Sequence, residues 1–194
     1  MSDLFDEPDD ATPLTPEERR ELIPAHIAYR SELNEAEQEN IVRAQDWAFG
    51  RRRDPLTEKF IKDLHRRMFR DVWRWAGKFR TGARNLGVPF YEIPVALRHL
   101  LDDTRTWIEH EVYPPDEIAV RFHHRLVQIH PFPNGNGRHA RLMADLFVMS
   151  LGGERFSWGS ASLQVAGDLR RRYIATLQAA DNHDIVALLE FARS

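Results

Sequence analysis

From Glu17 to the C-terminus the sequence keeps repeating one pattern, apolar residues three and four positions apart, interrupted at intervals by proline or glycine. That spacing returns side chains to one face of an α-helix, and a chain built of such segments buries its apolar stripes against other helices. Leu33, Ala36, Asn40, Ala44 and Trp47 mark a helix over residues 32–51. Beyond Asp54-Pro55, Thr57 is placed to cap a second helix carrying Phe60, Ile61, Leu64, Met68, Phe69 and Val72 and ending near Gly77. Pro94 opens a third, with Leu97, Leu100, Leu101, Trp107 and Ile108, and Pro114-Pro115 stops it. Asp116 caps a fourth over 118–129, a fifth runs from Gly137 to Gly152-Gly153, and two more fill 160–180 and 184–193. Residues 78–93 break the rule, since Gly82 and Gly87 punctuate Val88, Phe90, Tyr91 and Ile93 with no helical period, which predicts a β-hairpin or loop. The expected architecture is an all-α bundle with one small β-hairpin.

The 194 residues suffice for one domain with a real core. Lys and Arg number 27 against 30 Asp and Glu, a formal charge of −3, which argues against nucleic acid or a membrane surface as partner. The absence of cysteine removes disulfides, thiolate metal sites and thiol nucleophiles, so chemistry must run on His, carboxylates, Arg, amides and backbone. Residues 1–16 combine acids with Pro8, Pro13 and Pro16 and read as a disordered acidic tail; 17–54 hold the N-terminal helices and 55–194 the main domain. Asp3, Asp6, Glu7, Asp9 and Asp10 stand where a secretory signal would carry basic and apolar residues. The most apolar stretch, 142–151, is broken by Asp145 and falls well short of the roughly 20 residues that span a bilayer. A cytoplasmic protein is expected.

Between two strongly helical segments lies His130-Pro131-Phe132-Pro133-Asn134-Gly135-Asn136-Gly137-Arg138-His139-Ala140-Arg141. Two glycines separated by one asparagine permit turns that gather backbone N–H groups on one concave side, where a following helix exposes its unpaired N-terminal donors. Such a place attracts anions. Arg138 and Arg141, three apart in the first turns of that helix, share a face and can add bidentate contacts to phosphate oxygens, so polyphosphate is the natural guest. His130, at the upstream edge, can take a proton from a hydroxyl near neutral pH. A lone histidine beside a turn more often merely ends a helix; the complete constellation reverses that preference.

The same twelve residues resemble the Fic signature, His-Pro-Phe-x-(Asp/Glu)-Gly-Asn-Gly-Arg-x-x-Arg, at every fixed position except the acidic one. Trp75-Ala76-Gly77-Lys78-Phe79-Arg80, followed by a hairpin and a long helix, extends the likeness over roughly residues 55–180, and the whole chain is similar to the small Fic proteins labelled mobile mystery protein B. The resemblance implies a Fic-type helical bundle with a hairpin flap, and transfer of AMP from ATP, with Mg²⁺ or Mn²⁺, to a Ser, Thr or Tyr hydroxyl of a target protein; it leaves auto-modification and a homo-oligomer open. It implies His130 as the base, Phe132 as the core anchor of the loop, Asn136 with the backbone around Gly135 and Gly137 on the α-phosphate, Arg138 and Arg141 on the β- and γ-phosphates, and Asn134 in the same nucleotide site as the candidate metal position. Gly137 stands where the phosphorylating Doc branch has lysine, which favours nucleotidyl over phosphoryl transfer. Asn134 replaces the acid that binds Mg²⁺ in adenylylating members; an amide oxygen can ligate a hard cation but brings no charge. Slower adenylylation, another phosphate-containing donor, or a nucleotide-binding module of a toxin–antitoxin or mobile-element system are the readings this leaves.

Glu35-Ala36-Glu37-Gln38-Glu39-Asn40 resembles the family's inhibitory helix, (Ser/Thr)-x-x-x-Glu-(Gly/Asn), which implies that Glu39 pairs with Arg141; an ordinary solvated acid on an amphipathic helix is the equal alternative. Arg84, Asn85, Leu86, Gly87, Val88, Pro89 and Phe90 resemble the flap whose edge holds an extended target segment. His123 shares a face with His130, but no further ligands complete a metal set. Arg51-Arg52-Arg53 and Arg170-Arg171-Arg172 read as solvated faces or helix-end charges, and the five tryptophans as core and corner residues.

Overall fold

A computed structural model describes residues 16–51, 53–160 and 166–194, so the expected acidic tail before Pro16 lies outside it. Its described helices are α1 (Pro16–Arg19), α2 (Arg30–Phe49), α3 (Glu58–Phe69), α4 (Ile93–Glu109), α5 (Pro115–Ile129), α6 (Asn136–Ser150), α7 (Ala166–Asp181) and α8 (Val186–Arg193), with one 3₁₀ turn at Phe90–Glu92. The apolar stripes meet around α5 and α6. Ala119, Val120, Phe122 and Leu126 from one and Ala140, Met143, Ala144, Phe147 and Val148 from the other are sealed from solvent. Small residues at 119, 140 and 144 let these two helices approach closely, and α3 and α4 close over them with Ile61, Leu64, Met68, Leu97 and Leu100. Among the described residues no helix is long and apolar enough to cross a membrane.

The expected elements return with informative shifts. Thr57 Oγ1 does cap α3, accepting from Phe60 N–H at 3.1 Å, but the helix ends at Phe69 rather than near Gly77. Residues 72–74 pair instead with the N-terminal segment: Ile23 N–H donates to Val72 O at 2.8 Å and Arg74 N–H to Glu21 O at 3.0 Å, around an antiparallel Leu22–Trp73 bridge. Asp116 is not the cap of α5, because Pro115 takes the first turn after Pro114; Asp116 accepts from Arg193 Nε at 2.7 Å. The expected β-hairpin is absent from the described residues. Residues 78–89 form an irregular loop whose carbonyls are claimed by one side chain: Arg80 donates from Nη1 to Gly82 O at 3.0 Å and from Nη2 to Val88 O. A guanidinium inside the loop has taken the acceptors that a strand ladder would have used.

Candidate active site

His130 ends α5 in the left-handed region, at φ 51° and ψ 59°, an uncommon conformation for a side-chain-bearing residue. Arg80 holds it there: Nε donates to His130 O at 2.7 Å, and Arg80 N–H donates to Pro131 O at 3.0 Å. Gly87, at φ +95°, lies so close that a Cβ would come within 2.6 Å of His130 Cβ, so the loop edge approaches the imidazole only because this residue is glycine. Burial, then the nearby Arg80 and Arg84 charges, pull the His130 pKa down to about 4, while a hydrogen bond to the Val127 backbone opposes the shift. The ring is neutral at pH 7, and with one nitrogen donating to that carbonyl the lone pair sits on the other.

The turn after His130 is closed from within. Asn136 Oδ1 accepts from Phe132 N–H at 2.9 Å and its Nδ2 donates to Phe132 O at 2.8 Å, with the asparagine buried. Its amide is therefore a staple of the loop rather than the phosphate grip expected of it. Phe132 is fully buried, and Gly135, at φ +78°, has no room for a Cβ, which would lie 2.5 Å from the Phe69 ring. Gly135 caps α6, leaving the N–H groups of Asn136, Gly137 and Arg138 without carbonyl partners inside their helix, a ready anion site. Gly137 has open space around it apart from the Tyr173 hydroxyl.

Asn134 Oδ1 accepts from Gly135 N–H at 2.5 Å, turning the candidate metal ligand back into its own loop. Among the described residues no group of three His, Asp or Glu side chains could hold an ion. A single amide oxygen committed to its own loop does not fit a protein-held Mg²⁺ or Mn²⁺.

The two signature arginines have different neighbours. Arg138 Nη1 meets Glu37 Oε2 at 2.6 Å, over the face of Phe69, and the other Glu37 oxygen accepts from Trp73 Nε1 at 2.7 Å. Glu39, expected on Arg141, is exposed. The reason is helical phase: Leu33, Glu37, Asn40, Ile41 and Ala44 share the buried stripe of α2, whereas Glu39 lies two positions on and faces water. Arg141 lies over the Tyr173 ring with no described carboxylate within ion-pair distance, and burial lowers its pKa. Tyr173 Oη is 3.0 Å from His123 Nε2; burial raises the phenol to about 12 and keeps His123 well below its ordinary value, so the pair is neutral. His124 Nε2 lies 2.8 Å from Asp181 Oδ1.

Of the flap residues, Asn85, Leu86, Gly87, Pro89 and Phe90 are exposed and Arg84 and Val88 half-buried, arranged along the mouth of the site without strand pairing. Residues the sequence reading passed over are Glu37, Arg80, His65 and Tyr173. The first was legible in the three-and-four spacing of α2; the others carry no local signal, because their partners are far along the chain.

A neutral imidazole, a helix N-terminus and two guanidiniums are gathered around one glycine turn of an all-helical fold. Residues 55–148 match the Fic/DOC family model, and the chain is a Fic/DOC domain protein. It is 29% identical over 142 residues to Protein adenylyltransferase Fic of Aedes aegypti, covering 71% of this chain and 27% of that protein. It is 36% identical over 130 residues to Protein adenylyltransferase fic-1 of Caenorhabditis briggsae, covering 59% and 26%. The chain thus spans about a quarter of the length of these curated relatives. The BepC protein of Bartonella tribocorum, solved with bound AMPPNP, shares the fold, with a TM-score of 0.67 at 16% identity over 92% of this chain and 97% of that one.

Proposed function

We infer that this protein is an adenylyltransferase that moves AMP from ATP onto a Ser, Thr or Tyr hydroxyl of a protein. The observation that carries this reading is the neutral His130 imidazole, on a backbone held by Arg80, beside the N–H groups that open α6 without carbonyl partners in their helix. His130 takes the proton as the hydroxyl oxygen attacks the α-phosphorus, a new P–O bond forms, and the bond to pyrophosphate breaks. The backbone of Asn136, Gly137 and Arg138 is suited to the charge on the α-phosphate, and the Arg138 and Arg141 guanidiniums to the departing pyrophosphate. The flap edge beside His130 would hold the target segment, and the names of the relatives support the reaction class.

In this reading α2 is a brake acting through Glu37: its carboxylate occupies the Arg138 fork that a nucleotide phosphate would use. The inward turn of the Asn134 amide favours, as a second reading, slow turnover by a module that chiefly binds nucleotide. Incubation with ATP labelled at the α-phosphate separates the two. Self- or target-labelling that disappears in His130→Ala, with ATP binding retained by calorimetry, is the expected result; labelling that survives this substitution would overturn the assignment of the base.

A further inference from the structure

We propose that His65 is a positioning residue for the phosphate cradle, its imidazole holding the Asn134 carbonyl and so setting the peptide that leads into Gly135. This rests on the nucleotide-binding reading above. His65 comes from α3, outside the signature, and has no exposed surface. Gly77 N–H donates to its Nδ1 at 3.0 Å, so Nδ1 must carry the lone pair and the ring proton must sit on Nε2. Nε2 lies 3.1 Å from Asn134 O, and in that tautomer it can only donate. Both ring nitrogens are satisfied in one protonation state. Burial, then the His139 ring nearby, hold the pKa well below the ordinary value, so the state persists at neutral pH.

The consequence for the cradle is geometric. The Asn134 carbonyl and the Gly135 N–H belong to one peptide plane, and Gly135 has the left-handed φ on which the start of α6 turns. Pinning that carbonyl pins the plane, and with it the direction of the N–H groups that follow. Phe69, one turn along α3, fills the space where a Gly135 Cβ would be, and Phe132 stacks on His65 with ring centroids 3.7 Å apart and an interplanar angle of 14°. One face of α3 is thus the floor of the loop. The bond to Gly77 also joins this floor to the strap ending at Arg80, which holds His130, so the base and the phosphate donors at opposite ends of the loop share one support.

Three variants of the full chain test this. His65→Gln keeps a donor where Nε2 reaches Asn134; His65→Asn keeps an acceptor for Gly77 but no donor that reaches; His65→Phe keeps the stack and neither bond. Calorimetry should give ATP affinity for Gln within about threefold of the unsubstituted chain and losses of about tenfold or more for Asn and Phe, the usual scale for an orphaned buried carbonyl. The melting temperatures of Gln and Asn should not follow that order. Equal affinities for Gln and Asn, or affinity that simply tracks melting temperature, would overturn the proposal. In the unsubstituted chain, ¹⁵N-histidine spectra should report an Nε2–H tautomer at residue 65 with slow proton exchange; an Nδ1–H or rapidly exchanging ring would overturn it without any variant. An unsubstituted chain that binds no ATP while showing that tautomer would instead sink the nucleotide reading.

Discussion

Arg138 and Arg141 occupy successive turns of one helix and face two different walls. The wall beside Arg138 is α2 and the Val72–Trp73 turn, which supply a buried carboxylate on a tryptophan donor. The wall beside Arg141 is α7, which supplies a neutral Tyr173, with the neutral His123 of α5 behind it. One guanidinium is therefore already paired, and the other lies over the face of a ring with no ion pair among the described residues. A partly buried cation with no described carboxylate at ion-pair distance is costly in isolation and becomes favourable when an anionic ligand arrives. On the reading proposed above, Arg141 is the side that takes phosphate first and the Glu37 pair opens after it.

The largest expected effect breaks the Arg141 half. Arg141→Ala should lower AMP transfer about a hundredfold or more, measured with α-labelled ATP, since the remaining signature arginine, Arg138, is held by Glu37. Loss comparable to that of Arg138→Ala would erase the distinction between the walls.

Next, Glu37→Gln keeps the volume and an acceptor for Trp73 Nε1 while discharging the pair. Arg138 retains 34% side-chain exposure, so water can solvate the released guanidinium and the fold should persist. Self-labelling should rise about tenfold, on the scale of one charge-assisted hydrogen bond. Glu39→Gln is the control and should leave labelling unchanged; a rise there and not at Glu37 would restore the original expectation for Glu39.

The smallest effect is in acid. His130 is pulled down to about 4 and His139 to about 3, both below the ordinary 6.5, so the unfolded chain binds their protons first. Their contribution to stability is complete above about pH 6.5 and is lost as pH falls toward those values, by on the order of 2 kcal/mol per histidine at pH 5. Melting temperature should therefore drop by about 10 °C between pH 7 and pH 5. Over the same range the labelling rate in folded protein should hold until pH approaches about 4; a rate that halves near pH 6.5 would mean that His130 is not shielded.

Much of this molecule could be read before it was seen. The helices, their order, and the glycine turn between α5 and α6 follow from local spacing and turn chemistry, and the signature residues do surround that turn. The boundaries that moved are instructive: α3 stops at Phe69 because residues 21–23 capture the backbone of 72–74, and Arg80 replaces the expected hairpin because its donors reach carbonyls on both the loop and α5. Neither capture leaves a mark in the local sequence. Residue type marks Asn136 and Asn134 as ligands, yet the Asn136 amide bonds the Phe132 backbone and Asn134 Oδ1 accepts from Gly135 N–H, a competition that asparagine commonly wins in tight turns.

The order of residues alone determined that this chain would be helical, where it would break, and which dozen residues could cradle an anion, because period, capping and backbone permissiveness act over a few positions. Tertiary structure decided which carboxylate meets which guanidinium. Glu37 and Arg138 are 101 residues apart, and their meeting depends on the rotation of α2 about its axis and on the face it turns toward α3. Two residues along a helix reverse the direction a side chain points, and only the packed core selects between them.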